Sequence, residues 1–271
     1  MRCVRIGAHD HLARQCVVLG HHGVRDAGHI AAIVLRRLVV GQGAVQAQAV
    51  ARGKVALGLV HGAHLRDQAT ARQCVVGWMR QGMNLADIYL HGITAAARLV
   101  GRSWAEDCLD FGAVTIVSAR LHRLLYDFSP QFQTDAQPHH GGTVLIFPEP
   151  GAQHTMGSFM LTEFFRREGW YVTAAQPLRV QDALGLVSGN WIDLVALSVS
   201  SDRHLVTLAD WVTQMRQAST NPDLKIMVGG PMACVDPQCL SPMQADVLGK
   251  DALHALDWAK THVLSQLALT Q

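Results

Sequence analysis

At 271 residues the chain is long enough for two domains of ordinary size. Hydrophobic residues make up 49% of it and charged residues only 16%, enough for a sizeable core and unlike a disordered chain. A formal net charge of +2 is too mild to argue for nucleic acid by electrostatics alone. No apolar run reaches the roughly 18 residues needed to cross a bilayer, and Met1-Arg2-Cys3-Val4 lacks the apolar core of a signal peptide. The expectation is a cytoplasmic protein with no membrane partner.

Residues 1–30 carry no clear pattern and stand as an uncertain N-terminal segment. Residues 31–128 read as a helical bundle. Stretches 27–40, 44–59 and 65–81 are helix-compatible, and Asn84 is a good cap for a helix over 85–99. A further helix is expected from about 103 to 126, where Val114, Val117, Leu121, Leu124 and Leu125 form an apolar stripe. Residues 129–141 are polar, hold two prolines and run into the glycine pair Gly141-Gly142, as an interdomain linker does.

From 142 to 271 strand and helix patterns alternate. That alternation predicts an α/β domain with a parallel sheet covered on both faces. Strands are expected at 143–147, 171–174, 194–198, 225–228 and near 246–247, and helices at 158–168, 180–188, 203–217 and 251–267. No repeat and no helix-turn-helix reader is recognisable, so sequence-specific DNA binding by this chain alone is not expected.

The segment Pro148-Glu149-Pro150-Gly151-Ala152-Gln153-His154-Thr155-Met156-Gly157 leaves the first of these strands. In open α/β sheets ligands bind outside the carboxyl ends of the strands. A His-x-x-Gly on that loop fits a ligand site, although a lone loop histidine is more often structural. Two later strands also end in marked residues: Ser198-Val199-Ser200 after 194–197, and Gly229-Gly230 after 225–228. Taken singly, Ser198 reads as a strand-end cap and the glycines as a turn. The six cysteines show no Cys-x-x-Cys spacing, although Cys234 and Cys239 flank Asp236 closely enough to be read as a redox pair. The fifteen histidines, including the pairs His21-His22 and His139-His140, show no zinc pattern.

In that order, these segments resemble the corrinoid-binding Rossmann-like (flavodoxin-like) domain, whose pattern is Asp-x-His-x-x-Gly, then Ser-x-Leu, then Gly-Gly. Ala245-Asp246-Val247-Leu248-Gly249-Lys250-Asp251-Ala252 resembles that domain's last strand and closing helix. The resemblance implies cobalamin with its own base displaced and His154 as the metal ligand from below. It further implies that Gly157 allows close approach, that Ser198 binds the buried nucleotide tail, and that Gly229 and Gly230 leave room for it. Two positions depart from the pattern. Ala152 stands where an acidic residue would orient the histidine, leaving Gln153, Glu149 or water to substitute, and Ser200 replaces the leucine that would wall the slot.

Bundle, linker and corrinoid fold together resemble methyl-transferring corrinoid proteins, methionine synthase modules and light-sensing regulators. In the last group a bundle tryptophan covers the corrin and a Glu-His pair follows. Trp104 fits the tryptophan, but Val114-Thr115 occupies the place of Glu-His. That combination is similar to the AerR/PpaA-type antirepressors, over about residues 65–265. The resemblance implies a light-responsive regulator holding adenosylcobalamin or hydroxocobalamin and acting on a repressor of the CrtJ/PpsR type, not an enzyme. A corrinoid methyl carrier and a haem sensor on the same fold remain the alternatives.

Overall fold

The computed structural model describes residues 55, 58–60, 67–152, 155–174 and 179–265. Helix α1 (Gln68–Arg80) starts at Asp67, whose side chain accepts from the Thr70 amide at 2.7 Å. Helix α2 runs through Leu85–Asp87, a π-helical Ile88–Ile93 and Thr94–Ala105, and Asn84 caps it as expected, accepting from the Asp87 amide.

Instead of one helix from about 103 to 126, the chain breaks after α2 and restarts as α3 (Phe111–Phe132). Asp107 takes a left-handed φ of 54°, which a helix cannot continue through, and Asp110 supplies a new cap by accepting from Ala113. At its far end α3 passes through Pro130 to Phe132, so the first residues of the expected linker are helical. Tertiary anchoring outweighs the proline's missing donor. Phe128 and Phe132 are buried, and the side chains of Ser129 and Gln133 both donate to the Glu163 carboxylate, at 2.6 and 3.0 Å.

The sheet contains β1 (Thr143–Pro148), β2 (Tyr171–Ala174), β3 (Leu194–Ser198), β4 (Lys225–Gly229) and β5 (Val247–Leu248), all parallel in the order β2-β1-β3-β4-β5. Helices α4 (Met156–Arg167), α5 (Val180–Gly189), α6 (Leu205–Ala218), α7 (Pro231–Val235) and α8 (Ala252–Ala259) connect and close it. All five strands lie where they were expected. The short α7, and the 3-10 turn Pro237–Met243 after it, were not anticipated.

Strand side chains alternate between two cores. Val144 and Ile146 face a core shared with α4, α8 and the helical bundle, while Leu145 and Phe147 face α5 and α6. The bundle is therefore fused to one face of the sheet domain rather than tethered beside it. Tyr89 stacks on Phe132 at 4.7 Å, and Phe132 meets Phe164 of α4 at 5.1 Å. Among the described residues no helix is long and apolar enough to cross a membrane.

Glu163, only 1% exposed, is the polar pin of this junction, since it also takes an ion pair from Arg166 at 3.3 Å. Glu163→Ala leaves three donors facing an empty volume. It should cost about 3 kcal/mol of unfolding free energy, read from urea denaturation. A loss below about 1 kcal/mol, the size of an ordinary surface change, would contradict the role of this carboxylate.

Candidate functional site

Parallel pairing sets Pro148 beside Ser198 and Ser198 beside Gly229, so three segments distant in sequence end on one row. β2 and β3 flank β1 on opposite sides, and the chain parts at the carboxyl end of β1. This is the topological switch point where such sheets open a crevice. The Glu149 amide donates to the Ser198 carbonyl at 2.8 Å, extending the β1–β3 pairing into that crevice.

Pro150 and Gly151 then turn the chain sharply. Gly151 has φ 72° and the Ala152 amide donates back to the Glu149 carbonyl at 3.1 Å, the pattern a Pro-Gly pair favours. Gln153 and His154 follow at once. His154, the expected axial ligand, lies outside the described residues. Helix α4 begins just beyond, and Gly157 in its first turn is exposed, with open space around a Cβ built there.

The turn carries Glu149, which is 3% exposed. Its Oε1 accepts from the Ser200 amide at 2.9 Å, from the Ser200 hydroxyl, and from Ser201 at 3.4 Å. Its Oε2 is buried and has no hydrogen-bond partner among the described residues. Ser200, expected to make the slot wall polar, thus spends its hydroxyl on Glu149.

Gly230 has φ 93°, and a Cβ on it would lie 2.6 Å from the Val199 carbonyl and 2.7 Å from Ser198 Oγ. Glycine is needed there by the protein's own backbone, besides any room it leaves for a ligand. At Gly229 a Cβ would sit 3.2 Å from the Gly249 carbonyl, a contact that a small shift relieves.

Helix α2 closes this edge from above. Thr94 donates to Met160 Sδ of α4 at 3.3 Å, and one turn later Arg98 reaches Cys234 of α7 at 3.8 Å. The helix therefore passes from the element after β1 to the element after β4. Trp104, in its last turn, is 51% exposed and free to meet a ligand or a partner. Thr115, in the place of the regulators' Glu-His pair, donates its hydroxyl to the Phe111 carbonyl within α3. His122, which the sequence did not single out, stacks on Tyr126 and meets Phe159 edge-on. Its Nε2 is buried without a partner among the described residues, and burial pushes its pKa below the usual imidazole value.

Cys234 and Cys239 form no disulfide with each other: Cys234 donates to the Lys250 carbonyl and Cys239 to Asp236. No group of three or more metal-ligating side chains occurs among the described residues.

Comparison with known proteins bears on what this edge holds. Residues 142–257 match the B12 binding domain family. These residues are a B12-binding domain. Over 162 residues the chain is 28% identical to an uncharacterized 20.5 kDa protein of the bchF-crtJ intergenic region of Rhodobacter capsulatus, covering 59% of this chain and 84% of that one. Both findings agree with the AerR/PpaA-type resemblance of its motifs. The monomethylamine corrinoid protein of Methanosarcina barkeri has a similar fold, with a TM-score of 0.66 at 15% identity, covering 76% of this chain and 95% of that chain. The edge suits the group: the B12-binding domain offers an open approach at Gly157, glycines at the ends of β4, and an unsatisfied buried acceptor in Glu149.

Two substitutions separate the roles of its glycines. Gly230→Ala should lower stability by about 2 kcal/mol through backbone strain, measured by denaturation. Gly157→Leu should leave the ligand-free protein within about 0.5 kcal/mol of the parent and weaken cobalamin binding in a titration. Full cobalamin affinity in Gly157→Leu would remove Gly157 from the site.

Proposed function

We propose that this chain is a cobalamin-binding, light-responsive regulator that acts through a separate repressor protein of photosynthesis genes, of the CrtJ/PpsR type, and has no turnover of its own. The observation that carries the reading is the similarity to the Rhodobacter capsulatus protein whose gene lies between bchF and crtJ, in a photosynthesis gene cluster. Trp104 without a Glu-His pair supports it, as does the absence of a strong positive charge that would neutralise DNA phosphates.

In this reading His154 is the residue to hold cobalt, Ser198 and Gly229-Gly230 receive the nucleotide tail, and Trp104 covers the corrin. Cobalamin, when bound, would supply a light-responsive cobalt centre. The chain's own part is to couple that site to its surface. Helix α2 is fastened at Met160 and Cys234, and α3 is pinned to α4 through Glu163. A change at Trp104 therefore moves elements on both sides of the crevice, a two-state device biased by a cofactor event.

The test is a mobility shift on a promoter at near-physiological salt, with and without the repressor, in light and in dark. The cobalamin-loaded chain should shift nothing alone and should change repressor occupancy differently under the two illuminations. His154→Ala should lose that difference. Salt-robust, sequence-specific binding by this chain alone would contradict the reading, and identical behaviour in light and dark would remove the photoreceptor role. Methyl transfer from the bound corrinoid to a partner methyltransferase would favour the carrier alternative.

A further inference from the structure

We propose that Glu149 is a binding residue of the crevice: its Oε2 accepts a hydrogen bond from an N–H donor that comes into place with the corrinoid. The proposal rests on the reading that this edge takes cobalamin, and it selects Glu149 among the substitutes, Gln153, Glu149 or water, that the sequence left open for the missing acidic residue.

A carboxylate 3% exposed should spend both oxygens on donors, because an unpaired buried charge costs far more than a paired one contributes. Glu149 spends only one. Three donors from Ser200 and Ser201 converge on Oε1 and fix the side chain's direction, while Oε2 remains buried and unpartnered among the described residues. The turn that holds Glu149 is closed by the Ala152 amide and shaped by Pro150 and Gly151. The carboxylate is thus aimed by its surroundings and cannot rotate away to water without breaking the contacts with β3's end. Such a half-satisfied group is the mark of a site completed by something else.

The two departures from the corrinoid pattern become one feature. The acidic residue absent at position 152 and the serine present at position 200 both follow if the acceptor is delivered from Glu149, and Ser200 is what holds it there. The complementary chemistry is an N–H group, and two sources carry one: a carboxamide on the rim of the corrin, or the ring N–H of a protein imidazole that ligates the metal.

E149Q tests this. The variant keeps an oxygen for Ser200 and turns the free oxygen into an NH2, which cannot accept. Cobalamin affinity, measured by titration, should fall about tenfold or more, the size of effect that loss of an outer partner has at metal sites. Thermal unfolding of the ligand-free protein should stay the same or move to higher temperature, because a buried charge has been removed. If the imidazole is the source, the visible bands that report axial ligation shift as well; if a corrin carboxamide is, affinity falls with the bands unchanged. Equal affinity in E149Q beside a parent that binds overturns the proposal alone. Lower stability of the ligand-free variant together with weaker binding assigns Glu149 a purely structural role and also overturns it. A parent that takes up no cobalamin sinks the reading and the proposal together.

Discussion

β1 hydrogen-bonds β3 on one side and β2 on the other, so the connections leaving its carboxyl end must part there. Everything functional follows from that parting. At the crevice it opens, Pro148 of β1, Ser198 of β3 and Gly229 of β4 lie on one row set by parallel register. The same pairing requires near-continuous apolar strands buried on both faces, and the sequence supplies them. Polar residues are thereby left to the segments past the strand ends.

The helical bundle is not an independent lid. Its core runs without interruption into α4 and α8, with Tyr89, Phe132 and Phe164 packed in one aromatic cluster and Glu163 binding α3 to α4. Over the crevice the contacts are sparser and softer: a hydroxyl to a thioether sulfur at Met160 and a guanidinium to a thiol at Cys234. The shared core holds α2 against α3 and α4, and the two softer contacts carry α2 across the crevice to the elements after β1 and β4.

The sheet and its order of elements were legible because strand periodicity and length are local signals. Val144 through Phe147 read as a buried strand whichever fold surrounds them. The end of α3 was not legible, since Pro130 signals a stop and only tertiary contacts, the burial of Phe128 and Phe132 and the hydrogen bonds to distant Glu163, overrule it. The break at Asp107 hid for the opposite reason, because no proline or glycine marks residues 105–110 and the apolar stripe begins only at Val114. Ser198, Ser200, Gly229 and Gly230 were found by their places after strands, and the structure brings them to one edge. What each does was less legible: Ser200 turned out to serve Glu149, and Gly230 to meet the β3 backbone. Side-chain pairings across the crevice leave no trace in spacing. Glu149 carried one faint signal, an acidic residue at the start of a Pro-Gly turn that puts it against the neighbouring strand.

The central claim is that the carboxyl edge of this sheet holds a corrinoid. It is tested most directly by incubating the purified protein with hydroxocobalamin, and separately with haem, then recording absorption spectra after gel filtration. The account predicts corrin bands that elute with the protein, displaced from those of free hydroxocobalamin, and no retained Soret band. A retained Soret band without corrin, or protein eluting free of both, would contradict it.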